Sequence, residues 1–170
     1  MGDSGPEAPQ FRQAEAVSGF AKSELFDRTF HEGMSLVEET AAYLDGAGRQ
    51  DSKLLSRNAA LAYASESMRL TTRLMQVASW LLVQRAVREG DMAPEAAFDA
   101  SYRLNAETPE EHAPAQEPLP APLAELVGRS ERLFERVRHL DSRMYAPPVG
   151  DEPPHPVLSQ FERLKDAFGG

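Results

Sequence analysis

The chain has 170 residues, 41% hydrophobic and 26% charged, with a net charge of −9 and no cysteine. That length suits one domain with some chain left over for tails. Without cysteine there are no disulfides, zinc–thiolate sites or thiol catalysis, and the acidic balance argues against non-specific attachment to nucleic acid or anionic membrane.

The apolar fraction is rich in alanine and leucine, holds nine valines and has no isoleucine, a bias toward helix over strand. Proline breaks helices by removing a donor and clashing with the preceding turn. No proline lies between Pro9 and Pro94 or between Pro122 and Pro147, so long helices belong to 10–93 and 123–146. Met1–Gln10 is acidic and polar, unlike a signal peptide. The longest apolar run, Leu74–Val83, contains Gln76 and Ser79 and is too short to cross a bilayer. A cytoplasmic protein is expected.

Residues 1–17 show no periodicity and read as a disordered arm. Phe26, Phe30, Met34, Val37, Ala41 and Leu44 then recur at spacings of 4 and 3, one face of a first helix. Ser18 or Ser23 can cap its start, and Gly46 and Gly48 are natural stops after Asp45. Gly33 inside it suits close helix approach better than a site.

Asp51 can cap a second helix that meets no breaker before Gly90, about 58 Å long at 1.5 Å per residue. Past Met68 it is apolar on two sides: Met68, Met75 and Leu82 form one stripe, and Leu70, Leu74, Val77 and Leu81 another. A helix apolar on two faces needs neighbours on two sides, and a second copy of the chain is the simplest supplier. Leu70, Leu74, Val77, Trp80 and Leu81 are therefore expected to pack the core or a dimer contact.

Pro94 suits the first turn of a short third helix carrying Phe98 and Tyr102. Residues 105–122 hold five prolines and four glutamates and no Lys or Arg, the composition of a solvated, semi-stiff linker. Leu119, Leu123, Leu126, Ser130, Leu133, Val137, Leu140 and Met144 alternate spacings of 4 and 3, a heptad-like seam suited to a bundle. Residues 23–45 carry six acids against one base, Arg28, and residues 51–90 six bases against three acids, which favours docking these helices antiparallel. The predicted fold is all-α: an antiparallel three-helix bundle over 18–145 with a long central helix, paired as a homodimer, between disordered tails at 1–17 and 146–170.

No pattern for chemistry emerges. His31, His112, His139 and His155 are scattered, and no Glu-x-x-His pair, phosphate loop or nucleophile elbow is present. No catalytic, metal or cofactor residues are expected. Arg69, Arg73, Arg85 and Arg88 share the central helix, so a DNA-associated regulator is the alternative reading. In the tail, Val157, Phe161, Leu164 and Phe168, with Leu158 beside them, share one helical face over 157–168. A helix that short is marginal alone. It suits either docking into a partner's groove or folding back on the bundle.

The string LFDRTFHEGMSLVEETAAYLDGAGR from Leu25, continuing through LLSRNAALAYASESMRLTTRLMQVASWLLVQRAVREGDM, resembles the alphaproteobacterial RcdA family, the regulators of CtrA degradation. Tyr63–Val87 is its most specific part, and residues 1–17 and 105–170 match nothing in it. The resemblance implies a homodimeric helical bundle that acts as an adaptor for the ClpXP protease. It works with a CpdR-like response regulator that primes ClpX, and it brings cell-cycle substrates to the enzyme, in the cytoplasm and concentrated at a cell pole. It implies no chemistry of the chain's own and no catalytic residues. The partner contacts expected of the tail, at Val157, Leu158, Phe161, Leu164 and Phe168, rest on its physical pattern alone.

Overall fold

The computed structural model describes residues 9–104 and 117–145, and among them every regular element is helical. In chain order these are α1 (Pro9–Ala21), α2 (Glu24–Asp45), α3 (Ala47–Lys53), α4 (Arg57–Arg88), two 3-10 turns (Ala96–Phe98 and Ala100–Tyr102) and α5 (Ala121–Met144).

Helix α1 occupies residues read as an arm. Its buried residues, Ala14, Val17 and Ala21, are too small to stand out as an apolar pattern. Phe20 locks it in place, 5.6 Å from the Trp80 ring and edge-on to Phe26 at 5.8 Å. Ser23 begins α2 as anticipated, accepting the Phe26 N–H at 3.2 Å, and Glu24 and Asp27 in the first turn complement the positive end of the helix dipole. Gly46 ends it, its N–H reaching Tyr43 O.

The inward stripe of α2 is rotated from the expected one: Phe26, Thr29, Gly33, Leu36 and Thr40 are buried, with Phe30, Met34 and Val37 half-buried beside them. Small residues draw α2 close to its neighbours. A Cβ on Gly33 would lie 2.7 Å from Leu81 Cδ1.

The long central helix is also divided. Helix α3 stops at Lys53, Ser56 turns to extended backbone, and its hydroxyl accepts the Ala59 N–H at 3.2 Å to start α4. Asp51, anticipated as a cap, accepts the Tyr43 hydroxyl at 2.9 Å and holds α3 against α2. Gly48 is not a stop but a contact point, since a Cβ there would meet the Tyr63 hydroxyl at 2.6 Å and the Tyr43 carbonyl at 2.7 Å. The surviving α4 is about 48 Å long at 1.5 Å per residue.

Cross-helix pairs define the topology. Asp27 meets Arg88, Glu32 meets Arg136, and Glu39 meets Arg129, so α2 runs antiparallel to both α4 and α5. Arg73 meets Ser130, Trp80 meets Asp141, and Gln84 meets Tyr145, so α4 and α5 run parallel. The anticipated all-antiparallel three-helix arrangement therefore needs correcting, both in this pairing and in the addition of α1 and α3. The core lies between α2, α4 and α5, where Leu36, Leu70, Val77, Trp80, Leu81, Leu123, Leu133 and Val137 are almost fully buried. Each such side chain contributes about 1.5–3 kcal/mol of transfer free energy.

Pro94 introduces no α-helix. The chain after α4 instead makes the two 3-10 turns, the second capped by Asp99, which accepts the Ser101 N–H and hydroxyl. Ala97 and Leu104 anchor this strap in the core, and Phe98 stands edge-on to Tyr145 at 5.5 Å.

A candidate docking face on helix α4

Helix α4 presents two apolar faces with opposite fates. Leu70, Leu74, Val77, Trp80 and Leu81 are each at most 4% exposed, buried within the single chain against α2 and α5. The other face is bare: Leu61 is 64% exposed, Met68 72%, Met75 66% and Leu82 51%. Those four residues repeat every seven positions; Ser65, Thr72 and Ser79 fall between them at spacings of 4 and 3, and Ala86 follows Leu82 by 4.

The result is a seam of alternating large and small side chains, roughly 32 Å from Leu61 to Leu82 at 1.5 Å per residue. A 3,4 repeat of this kind keeps one stripe facing a partner helix, with large knobs entering the holes beside small residues. No acid or base interrupts it. The central charges of α4 sit elsewhere and are paired: Arg69 with Glu66 at 2.7 Å, and Arg73 with the Ser130 hydroxyl at 2.9 Å and Glu131 at 3.7 Å.

Beside the C-terminal half of the seam lies a groove of about 210 Å³ between α4 and the strap. Met75, Gln76, Ser79, Val83, Tyr102 and Leu104 line it, and Gln76 Oε1 is buried there without a hydrogen-bond partner. One buried carboxylate fixes its far wall. Asp141 accepts the Trp80 indole N–H at 2.9 Å, the Arg103 guanidinium at 3.1 and 3.2 Å, and the Leu104 N–H at 3.5 Å. Arg103 also lies over the Tyr145 ring, 4.4 Å from its centre. Asp141 thus ties strap, α4 and α5 together. The sequence signal for it was an acid in i, i+4 register with Val137 on the α5 seam.

The four arginines that the DNA-associated reading would need free are engaged. Besides Arg69 and Arg73, Arg85 pairs with Glu89 and lies over Phe30, and Arg88 pairs with Asp27 and lies over Phe26. A second groove, between α2 and α5, is lined by Glu32, Arg129, Glu131, Arg132, Glu135 and Arg136. The bidentate Arg129–Glu39 bond, 2.6 and 3.0 Å, holds the Glu39 carboxyl below its ordinary range.

Burial first, then the Asp51 hydrogen bond, pushes the Tyr43 hydroxyl up, away from neutral pH. His31 and His139 are exposed on different helices, and among the described residues no three His, Asp or Glu side chains are grouped to hold a metal ion. No described helix is long and apolar enough to cross a membrane. Val157, Leu158, Phe161, Leu164 and Phe168, together with His112 and His155, lie outside the described residues.

Fold and surface together define an all-α protein with an uncovered helical seam and no clustered chemistry among its described residues. Residues 17–168 match the model of a protein family of unknown function, DUF1465. The chain is also similar to RcdA from Caulobacter crescentus CB15, whose crystal structure shares 71% sequence identity and aligns with a TM-score of 0.64, covering 75% of this chain and 97% of that one. The chain belongs to the DUF1465 family, the family of RcdA. No curated protein matches it.

Proposed function

We propose that the chain is a non-catalytic adaptor in regulated proteolysis, delivering cell-cycle regulatory proteins to ClpXP through protein–protein contacts alone. The similarity to RcdA carries this reading, and the uncharged, uncovered seam of α4 supports it. An exposed apolar face of this length marks an interaction site in a water-soluble protein.

On this reading a second copy of the chain covers the seam and makes a homodimer. The tail residues Val157, Leu158, Phe161, Leu164 and Phe168 meet a partner, and a CpdR-like response regulator primes ClpX for the loaded adaptor. Linking weak sites through one dimer raises avidity by about 10² to 10⁴ without any new contact. No step requires a cofactor. Arg69, Arg73, Arg85 and Arg88 favour no second reading, because each of the four is engaged with other residues of the bundle.

The test is a reconstitution with ClpXP, the response regulator and a fluorescent cell-cycle substrate. Adding this chain in stoichiometric amounts is expected to speed substrate loss at unchanged ATPase capacity. An unchanged rate across a titration of the chain would overturn the adaptor reading.

A further inference from the structure

We propose that the chain's own C-terminal segment, residues 157–168, docks in cis on the C-terminal half of the α4 seam and competes there with the second copy. The competition rests on the seam being the pairing face, whereas the docking itself does not.

Three observations select this occupant. The first is where the bundle ends. Tyr145 closes α5 with its hydroxyl 3.3 Å from the Gln84 amide nitrogen and its ring beneath Arg103. Arg103 also borders the groove beside Met75 and Ser79, so a single side chain touches both Tyr145, the last described residue, and the groove.

The second is reach. Residues 146–156 include Pro147, Pro148, Pro153, Pro154 and Pro156, and an extended proline-rich segment of that length spans about 34 Å at 3.1 Å per residue. That is more than enough to bring Val157 to any point between Met68 and Leu82, which lie about 21 Å apart along α4.

The third is match. Val157, Phe161, Leu164 and Phe168 recur at spacings of 4, 3 and 4 and form a face about 17 Å long when helical. The seam offers Met68, Met75 and Leu82 with small residues between them, bordered by the groove of about 210 Å³. Gln76 of the groove wall has a buried Oε1 with no donor among the described residues. The other connection leaving the strap, from Asn105, is acidic and lacks any apolar repeat, so it fits the uncharged seam poorly.

A tether this short places the segment at roughly millimolar effective concentration. Marginal affinity then suffices for substantial occupancy. Segment and second copy exclude each other on the seam, so pairing frees the tail and a bound tail opposes pairing, by equal factors. A segment docked half the time leaves about one pair of monomers in four competent, so losing it tightens self-association about fourfold.

The experiment uses the full chain with ¹³C-methyl methionine, comparing the natural sequence with the Phe161→Asp/Phe168→Asp double variant. Met68 and Met75 report the seam, while Met34 and Met144 report the core. At dilutions where the spectrum no longer changes with concentration, the Met75 methyl is expected to differ between the two proteins while Met34 and Met144 coincide. Superimposed Met68 and Met75 signals overturn the docking. Sedimentation of both proteins then reads the competition: self-association about fourfold tighter in the variant supports it, and equal self-association overturns it. If neither protein self-associates, the homodimer and the competition fall together, while the methyl comparison still decides the docking.

Discussion

Removing the Asp141 carboxylate with Asp141→Ala should loosen the strap from the bundle at a calculable cost. Asp141 is 3% exposed. The Trp80 indole N–H and the Leu104 N–H are both buried, and each loses its acceptor. An orphaned buried donor costs about 1–3 kcal/mol, with Trp80 toward the upper end and the long Leu104 bond toward the lower. Arg103 is 34% exposed on its side chain and can turn to water, so its lost ion pair adds at most about 1 kcal/mol. The sum is about 4 kcal/mol, out of a total of about 5–15 for a domain. Asp141→Asn keeps an acceptor for Trp80 and should lose about 1 kcal/mol. Urea unfolding followed by far-UV circular dichroism measures both, since the Trp80 signal itself changes in these variants, and the midpoint should fall at constant m. A loss below about 0.5 kcal/mol for Asp141→Ala, the scale of an ordinary surface change, would refute the claim that Asp141 anchors the strap.

At dilutions where neither protein pairs, Met68→Asp/Met75→Asp should lower the unfolding free energy by no more than about 1 kcal/mol, the helix-propensity cost of two aspartates, because both side chains are exposed; sedimentation equilibrium should show self-association abolished. Gly48→Ala should destabilise by about 2 kcal/mol despite alanine's better helix propensity, because its Cβ would meet the Tyr43 carbonyl at 2.7 Å; thermal unfolding measures it. Glu39 has a depressed carboxyl pKa in the fold through Arg129. Its stabilisation is present above the unfolded value, about 4.3, and is lost as pH falls through the folded one. The Tm difference between the natural chain and Glu39→Gln should therefore be greatest near neutral pH and shrink toward pH 3 in a pH series of melts.

The elements that sequence reading resolved best were those in which large apolar residues carry the period. Helix α5 lies where its 4,3 seam put it, with Leu123, Leu126, Ser130, Leu133, Val137 and Met144 all buried. Where small residues face the core, the reading slipped. The inner stripe of α2 uses Thr29, Gly33 and Thr40, and that of α1 uses two alanines and a valine. Hydropathy ranks such residues low, although close helix approach favours them. The break before α4 carries neither proline nor glycine. It depends on Ser56 as a cap and on Tyr43 holding Asp51 across the turn between α2 and α3, a contact that hydrophobic periodicity does not encode. The exposed stripe was visible as Met68, Met75 and Leu82, but which of the two faces stayed bare depended on where α2 and α5 dock.

The parallel pairing of α4 and α5 gives the proline-rich linker a mechanical task. Leu104 is held at the Asp141 level, near the C-terminal end of α5, yet the next helix must begin at Ala121, about 30 Å back along the α5 axis at 1.5 Å per residue. Sixteen residues, 105–120, can reach about 50 Å at 3.1 Å per residue, more than that distance requires. An antiparallel α5 would need only a short turn, and it would place Asp141 far from Trp80. The return therefore lets one carboxylate join strap, α4 and α5, and it leaves Tyr145 beside the groove. The last described residue, Tyr145, thus lies under Arg103, which borders the groove beside the exposed apolar stripe of α4.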